Sequence, residues 1–202
     1  LFEHGTCAPV SPLGVSRELL RKEVKVTIKF AIITCSDTRT LETDEAGQKL
    51  EQLIAEQGWE CIRRVVEMDE RPFIAGALID ACDNTDADIV LTCGGSGLSL
   101  RDVTPEATRD VADREVPGIA EAMRAHSVAI TPFAMLSRAI CAQRGHTLII
   151  NLPGSTKAAT ENWEGIVEAL PHAVKMMAGE GHDTQKDLAQ KLAAAAARGE
   201  LG

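Results

Sequence analysis

The chain has 202 residues, of which 45% are hydrophobic and only 3% aromatic, and its formal net charge at pH 7 is −9. This length suits a single domain with a sizeable core. Because aromatic residues are scarce, Ile, Val, Leu and Ala must form most of that core. The negative charge argues against broad nucleic-acid binding, which depends on Lys and Arg contacts to phosphates.

The first half of the chain alternates strands with helices. Residues 1–23 show no periodicity and are predicted to form an N-terminal extension. A strand is predicted over 24–35, and it ends in a continuously apolar run that is typical of a buried central strand. A helix with one apolar face follows and ends near Gly58, then a strand over 59–67, a helix over about 72–83 and a strand over 88–93.

The second half continues the pattern. Further helices are predicted to begin after Gly118 and at residues 131–132, and another contains Trp163. Two strands are predicted over 137–152, joined by a turn near residues 144–145, and the alanine-rich tail is predicted to be helical. This order predicts a single-domain α/β three-layer sandwich, with a mostly parallel central sheet and helices on both faces. The predicted domain covers residues 24–180, and residues 181–202 form a C-terminal helical tail.

A glycine-rich loop follows the third predicted strand, with three glycines in four positions (Gly94, Gly95, Ser96 and Gly97). A charged pair, Arg101 and Asp102, and a helix start come next: Thr104 can cap the helix, and Pro105 fits its first position. A loop of backbone N–H groups near a helix N-terminus favours a phosphate or nucleotide site with a metal. The alternative is an ordinary tight β-to-α turn, since glycine serves any position with positive φ.

Two better-known phosphate loops are excluded. A P-loop needs Lys followed by Ser or Thr after its last glycine, whereas Leu98 follows Gly97 here. The dinucleotide fingerprint counted from Gly95 has Leu100 where its third glycine should be.

Acidic residues follow three predicted strands, and parallel topology places the carboxyl ends of those strands at one edge of the sheet. Asp37, Asp69 and Asp102 are these residues, and the last two could share a magnesium ion with a bound triphosphate. Each has another interpretation: Asp69 could cap the next helix, Asp37 could stabilise its turn, and Asp102 could pair with Arg101 or Arg109. Asn151 and Ser155 could likewise be turn and cap residues.

The six cysteines are scattered, with no Cys-x-x-Cys pair and no Cys/His cluster, so a zinc site is not expected. Free cysteines in predicted strands and helices are usually small buried hydrophobes, which favours a reducing, cytoplasmic location. No segment approaches the ~20 apolar residues of a membrane helix, and no membrane partner is expected. The five histidines share no spacing and are taken as non-catalytic.

Five blocks in order resemble the MoaB/Mog family of molybdenum-cofactor biosynthesis proteins, which includes the G domain of gephyrin. The resemblance covers residues 29–179 and rests on the Ser-Asp-Thr-Arg block at 36–39, Asp69, residues 94–106, the Leu-Ser-Arg block at 136–138, and residues 151–157. In the glycine loop, Ser96 replaces the family's usual threonine and keeps the hydroxyl. The first block looks like MoaB, whereas residues 136–157 look more like Mog.

The resemblance implies a molybdopterin adenylyltransferase that uses Mg-ATP, binds no organic cofactor tightly and assembles as a homotrimer, with possible contact to the later metal-insertion protein. Asp69 and Asp102 correspond to the essential acidic pair, as catalytic residues and magnesium ligands. The nucleotide and molybdopterin sites would then use Ser36, Asp37, Gly94, Gly95, Ser96, Gly97, Arg101, Ser137, Arg138, Asn151, Pro153, Gly154, Ser155 and Lys157. Two alternatives stay open: a non-catalytic molybdopterin-binding or scaffold protein of the same family, and a nucleotide pyrophosphatase.

Overall fold

The computed structural model describes residues 27–179. The predicted N-terminal extension, the first residues of the predicted first strand and the predicted C-terminal tail lie outside the described residues. The strands are β1 (Lys29–Cys35), β2 (Glu60–Glu67), β3 (Ile89–Cys93), β4 (Arg114–Glu115), β5 (Cys141–Arg144) and β6 (Thr147–Leu152). The helices are α1 (Glu45–Glu56), α2 (Arg71–Asp83), α3 (Thr104–Val111), α4 (Pro117–Val128), α5 (Thr156–Glu164) and α6 (Leu170–Met177), with 3₁₀ turns at Pro132–Leu136 and Val167–Ala169.

These strands form one six-stranded sheet in the order β2-β1-β3-β6-β5-β4. β2, β1, β3 and β6 are parallel, whereas β5 and β4 extend the sheet by antiparallel pairing. The parallel strands are joined by helical crossovers, and the antiparallel pair β5–β6 needs only the turn that contains Gly145. The predicted α/β class with a mostly parallel sheet is therefore confirmed.

Side chains that alternate along β1 separate the core into two layers. Phe30 and Ile32 pack in the cluster that also contains apolar residues of α1, α4, α5 and α6. Ala31 and Ile33 face the opposite side, in the cluster formed with α2 and α3. Because successive residues of a strand point to opposite faces, a continuously apolar strand is covered by helices on both faces.

Two predicted helix starts differ from the structure. α4 begins at Pro117 rather than after Gly118, because proline fits the first helical turn, where its missing N–H has no partner to lose. Residues 131–132 introduce only the 3₁₀ turn Pro132–Leu136, which ends after five residues. Over residues 27–179, no helix is both long enough and apolar enough to cross a lipid bilayer.

Candidate active site

The candidate site lies where the strand order reverses. β1 and β3 are parallel neighbours, but the chain leaves β1 towards β2 on one side and leaves β3 towards the other half of the sheet. Ligands of open α/β sheets bind in the crevice beyond the carboxyl ends of such strands. Gly94 begins the loop there with φ of +112°, and a Cβ at this position would lie 2.5 Å from the carbonyl oxygen of Cys35. Glycine thus lets the loops after β1 and β3 come together.

Thr104 holds the glycine loop (residues 94–97) in place. The buried hydroxyl of Thr104 donates a hydrogen bond of 2.9 Å to the carbonyl oxygen of Gly94. Thr104 is therefore not the helix cap that the sequence suggested: Val103 occupies the capping position without a side-chain bond, and the threonine lies inside the first turn. Gly95 has φ of +62°, and a Cβ there would lie 2.2 Å from Thr104 Oγ1.

Two carboxylates flank this loop. A Cβ placed on Gly95 would lie 3.2 Å from Asp69 Oδ1, and a Cβ placed on Gly97 would lie 2.8 Å from Asp102 Oδ2. Asp102 Oδ2 accepts a hydrogen bond of 3.1 Å from the N–H of Ser99. Asp69 Oδ1 is buried and finds no hydrogen-bond partner within residues 27–179. Asp69 does not cap α2, whose capping residue is Glu70 and has no side-chain bond.

The surroundings of Asp69 concentrate negative charge. Burial raises the pKa of its carboxyl group, and the charges of Asp37 and Asp102 raise it further. The Asp69 N–H donates to Asp37 Oδ1 at 3.1 Å, which places the loops after β1 and β2 side by side. A cation at this position would relieve the repulsion among the carboxylates.

Arg101 joins the same loops from the exposed side. Its Nη2 lies 2.7 Å from Asp37 Oδ2, and its Nη1 lies 2.7 Å from Glu70 Oε1. The alternative in which Asp102 pairs with Arg101 or Arg109 is wrong, since Arg109 pairs with Glu115 at 2.8 Å. Arg101 does not line the main cleft beside the glycine loop.

Arg138 was expected to bind a ligand, but the structure gives its guanidinium internal partners. It donates to the carbonyl oxygens of Gly97, at 2.6 Å, and of Asp102, and it pairs with Glu106. Its own N–H donates to the carbonyl oxygen of Ser96 at 2.9 Å. Arg138 therefore holds the glycine loop in place through these hydrogen bonds.

Three residues of the last predicted block also have partners within the protein. Asn151 is fully buried in β6, and its side-chain amide donates to the hydroxyls of Thr92 and Thr108 at 3.0 and 2.9 Å. Lys157 is largely exposed, with its Nζ 3.8 Å from Glu161 Oε1. Ser155 accepts from the N–H of Ala158, so it is the cap of α5. Neither Asn151 nor Lys157 lines the cleft.

An open cleft of about 700 Å³ lies over the glycine loop. Predicted residues from four separate segments meet in its lining: Ser36, Gly94, Gly95, Ser96, Gly97, Asp102, Ser137, Pro153, Gly154 and Ser155. Asp37 instead lines a smaller neighbouring hollow together with Arg64. Asp69 lies at the edge of the loop but outside the lining of either hollow.

Several residues that line the cleft were not predicted from the sequence, among them Arg39, Arg124 and Phe133. Arg39 Nη1 donates to the carbonyl oxygen of Gly154 at 2.8 Å, which joins the loops after β1 and β6. Its place in the Ser-Asp-Thr-Arg block could have identified it. Arg124 and Phe133 had no comparable signal, because α4 and the following turn reach the cleft only through tertiary packing.

The carboxylates fit magnesium only with a substrate present. Within residues 27–179, no three His, Cys, Asp or Glu side chains come together as a metal site. Magnesium, however, is commonly held by one or two carboxylates together with substrate phosphates. Asp69 and Asp102 on either side of a loop suited to phosphate, with Asp69 Oδ1 lacking a partner in this part of the chain, match that ligand set.

Comparisons with known proteins place the chain in a family. Residues 31–172 match the family model described as a probable molybdopterin binding domain. The molybdopterin adenylyltransferase of Helicobacter pylori is 36% identical over 157 residues, which cover 76% of this chain and 89% of that protein. The molybdenum cofactor synthesis protein cinnamon of Drosophila melanogaster is 40% identical over 155 residues, but the match spans only 26% of its length. The crystal structure of the molybdopterin biosynthesis enzyme MoaB from Thermus thermophilus has a TM-score of 0.70 and 40% identity, covering 76% of this chain and 98% of that one.

Proposed function

The chain belongs to the family of probable molybdopterin binding domains, and on this basis we propose that it is a molybdopterin adenylyltransferase of molybdenum cofactor biosynthesis. In the proposed reaction, AMP is transferred from Mg-ATP to molybdopterin, giving adenylyl-molybdopterin and pyrophosphate. A relative named as this enzyme covers most of the chain, and a solved MoaB structure shares its fold.

One observation carries the proposal: the glycine loop lies between two carboxylates at the switch point of the sheet. Asp69 Oδ1 faces Gly95, and Asp102 Oδ2 faces Gly97. A loop of backbone N–H groups suits phosphate oxygens, and acidic residues beside it suit the cation that accompanies a triphosphate.

The proposed reaction needs the two substrates to be correctly positioned, and it needs no nucleophilic group from the protein. A phosphate oxygen of molybdopterin attacks the α-phosphorus of ATP, a new P–O bond forms, and the bond to the β-phosphate oxygen breaks to release pyrophosphate. Catalysis of phosphoryl-type transfer rests mainly on alignment and on stabilisation of charge. The glycine loop and the Ser96 hydroxyl would hold the nucleotide phosphates in line with the attacking oxygen.

Asp69 and Asp102 would hold magnesium with the phosphate oxygens, and the ion would supply the positive charge that an acidic chain lacks. Arg39 would add a fixed cation, since it lines the cleft and is anchored to the carbonyl oxygen of Gly154. Ser36, Ser137 and residues 153–155 would complete the nucleotide and pterin pockets. Asp37, Arg101 and Arg138 would hold the loops in place through their ion pairs and hydrogen bonds.

Release of pyrophosphate tests the function. The purified chain is incubated with ATP and magnesium, with and without molybdopterin, and with magnesium removed by a chelator. Adenylylation requires release only when molybdopterin and magnesium are both present. Release without molybdopterin would indicate a nucleotide pyrophosphatase, and no release in any arm would indicate a protein that only binds the pterin.

The homotrimer and a contact with the later metal-insertion protein remain predictions from the family, and the cytoplasmic location remains a prediction from the free cysteines. Light scattering at micromolar concentration tests the trimer, and a monomer there would overturn it.

A further inference from the structure

Three large apolar side chains of the cleft are exposed. Leu98, Phe133 and Leu136 all line it, with exposed fractions of 64%, 76% and 50%. A single exposed leucine needs no explanation, but exposed apolar residues grouped in a binding cleft mark a surface that a ligand covers.

These three side chains line the same cleft as the glycine loop. Leu98 follows Gly97, and the other two belong to the 3₁₀ turn Pro132–Leu136. The N–H of Ser137 donates to the carbonyl oxygen of Ala134, and the N–H of Arg138 donates to the carbonyl oxygen of Ser96. The end of the turn is thereby tied to the loop. The cleft therefore combines a loop suited to phosphate with three apolar side chains, Leu98, Phe133 and Leu136, which we call the apolar wall.

Phe133 is distinctive because the chain has few aromatic residues. Phe30, Trp59 and Trp163 pack on one another in the core, with ring centroids 5.6 to 6.1 Å apart. Phe73 is exposed on α2 and does not line the cleft. Among residues 27–179, Phe133 is the one aromatic side chain in the cleft lining.

We propose that Phe133, which lines the cleft together with Leu98 and Leu136, is the platform on which the planar heteroaromatic ring of a substrate lies. The inference rests on the proposed function, because adenine and pterin are both planar heterocycles attached to phosphate. A cleft of about 700 Å³ is within the usual range for a small-molecule site. A ring on the apolar wall would leave its phosphates over the glycine loop, so Phe133 selects the ring end of the ligand.

Binding measurements on Phe133→Ala test this platform. Dissociation constants are measured by calorimetry for three probes: ATP, tripolyphosphate, and biopterin, which has a pterin ring and no phosphate. Loss of one stacking contact is expected to weaken ring binding roughly tenfold. Tripolyphosphate has no ring, so its affinity is expected to stay unchanged. Phe133→Trp is expected to restore ring binding, and Phe73→Ala is the matched control at an exposed phenylalanine outside the cleft.

The probes also identify which ring is held. Weaker binding of ATP alone assigns the platform to adenine, and weaker binding of biopterin alone assigns it to the pterin. Weaker binding of both probes means that the platform can hold either ring. The proposal would be overturned if Phe133→Ala weakened the binding of ATP and tripolyphosphate equally and left the binding of biopterin unchanged. It would also be overturned if the variant bound both ring-containing probes as tightly as the unmodified chain, or if the unmodified chain bound neither ATP nor biopterin. A change in assembly by light scattering with ring binding intact would instead make the apolar wall a contact between copies and also overturn it. If the ring effect appears but no pyrophosphate is released, the platform stands and the adenylyltransferase proposal fails.

Discussion

The guanidinium of Arg138 donates a hydrogen bond to the backbone carbonyl of Asp102, a residue 36 positions earlier in the chain. The same group donates to Gly97, so one side chain fixes both ends of the segment between the glycine loop and α3. The orientation of Asp102 towards the cleft therefore depends on the segment that follows the turn Pro132–Leu136.

Replacing Arg138 with lysine should damage both the fold and the activity. An ammonium group cannot reproduce the forked contacts to two carbonyls and to Glu106. We expect the free energy of unfolding to fall by about 1–3 kcal/mol and kcat/KM to fall at least roughly tenfold. Denaturant unfolding and pyrophosphate release measure the two effects. Arg109→Lys, which alters only an exposed pair with Glu115, is the control, and an equally small effect at Arg138 would contradict this role.

Asp69→Asn and Asp102→Asn should each lower kcat by about 10²–10³-fold, because each removes a charge from the proposed phosphate and metal site. The folded-state pKa of Asp69 is raised, so its ionisation opposes folding at pH values above its unfolded-state pKa. The Asp69→Asn variant should consequently melt no lower than the unmodified chain at neutral pH. Asp86→Asn, at a highly exposed carboxylate paired with Lys29, controls for loss of charge alone. Near-normal turnover of either site variant at saturating magnesium would remove the two-carboxylate assignment.

Substitutions in the glycine loop should separate fold from function. Gly95→Ala should lower stability by at least about 1–2 kcal/mol, because its φ of +62° is costly for other residues and its Cβ would meet Thr104 Oγ1 at 2.2 Å. Gly97→Ala has no such φ, and its Cβ would meet only the carboxylate of Asp102, with Oδ2 at 2.8 Å. We expect it to weaken ATP binding with a smaller change in melting temperature. Gly76→Ala, where a Cβ would meet no atom within 4 Å, is the control. Unchanged ATP affinity in Gly97→Ala would argue that this loop is a plain turn.

Asn151→Ala should affect stability more than substrate binding. The change leaves the hydroxyls of Thr92 and Thr108 without their amide donor and the N–H of Ile140 without the Asn151 side-chain oxygen. Lost buried hydrogen bonds of this kind cost about 2–3 kcal/mol. Urea unfolding is the measurement, with the exposed Asn84→Ala as control. A large rise in KM for ATP at unchanged stability would restore a direct binding role.

The cysteines of the described region should resist alkylation in the folded protein. Burial raises the pKa of Cys35, Cys82, Cys93 and Cys141 to about 12 and that of Cys61 to about 11. Only the thiolate is nucleophilic, and at pH 8 a thiol of pKa 12 is ionised to about one part in ten thousand. Mass spectrometry after iodoacetamide treatment at pH 8 should find these five unmodified until denaturant is added. Rapid labelling of Cys35, which lines the cleft, would show that the loops above it open.

Local sequence was sufficient for the parallel strands and for the position of the glycine loop. Apolar runs of strand length ended at turn residues, with helical periodicity between them. The ends of β1, β2 and β3 were therefore predicted correctly at residues 35, 67 and 93, whereas β1 begins at Lys29, later than predicted. The three glycines at 94, 95 and 97 predicted a loop after β3, and Gly94 and Gly95 adopt positive φ. Packing against the sheet is different: only the tertiary structure shows that Ala120 and Met123 of α4 are buried in the core of this chain.

Side chains that bind other segments could not be assigned from the sequence. Thr104 looked like a helix cap, and Arg138 and Asn151 looked like ligand-binding residues. The sequence shows that a side chain is polar, but it does not show which distant residue is its hydrogen-bond partner. In the structure, their partners lie 10, 41 and 59 positions away, at Gly94, Gly97 and Thr92. The sequence by itself determined the α/β class, the switch-point loop and the acidic residues beside it, since short-range periodicity and turn chemistry encode these. Only the tertiary structure decided which polar groups face the cleft and which form hydrogen bonds within the protein. Hydrogen bonds between distant segments depend on how the sheet brings its loops together.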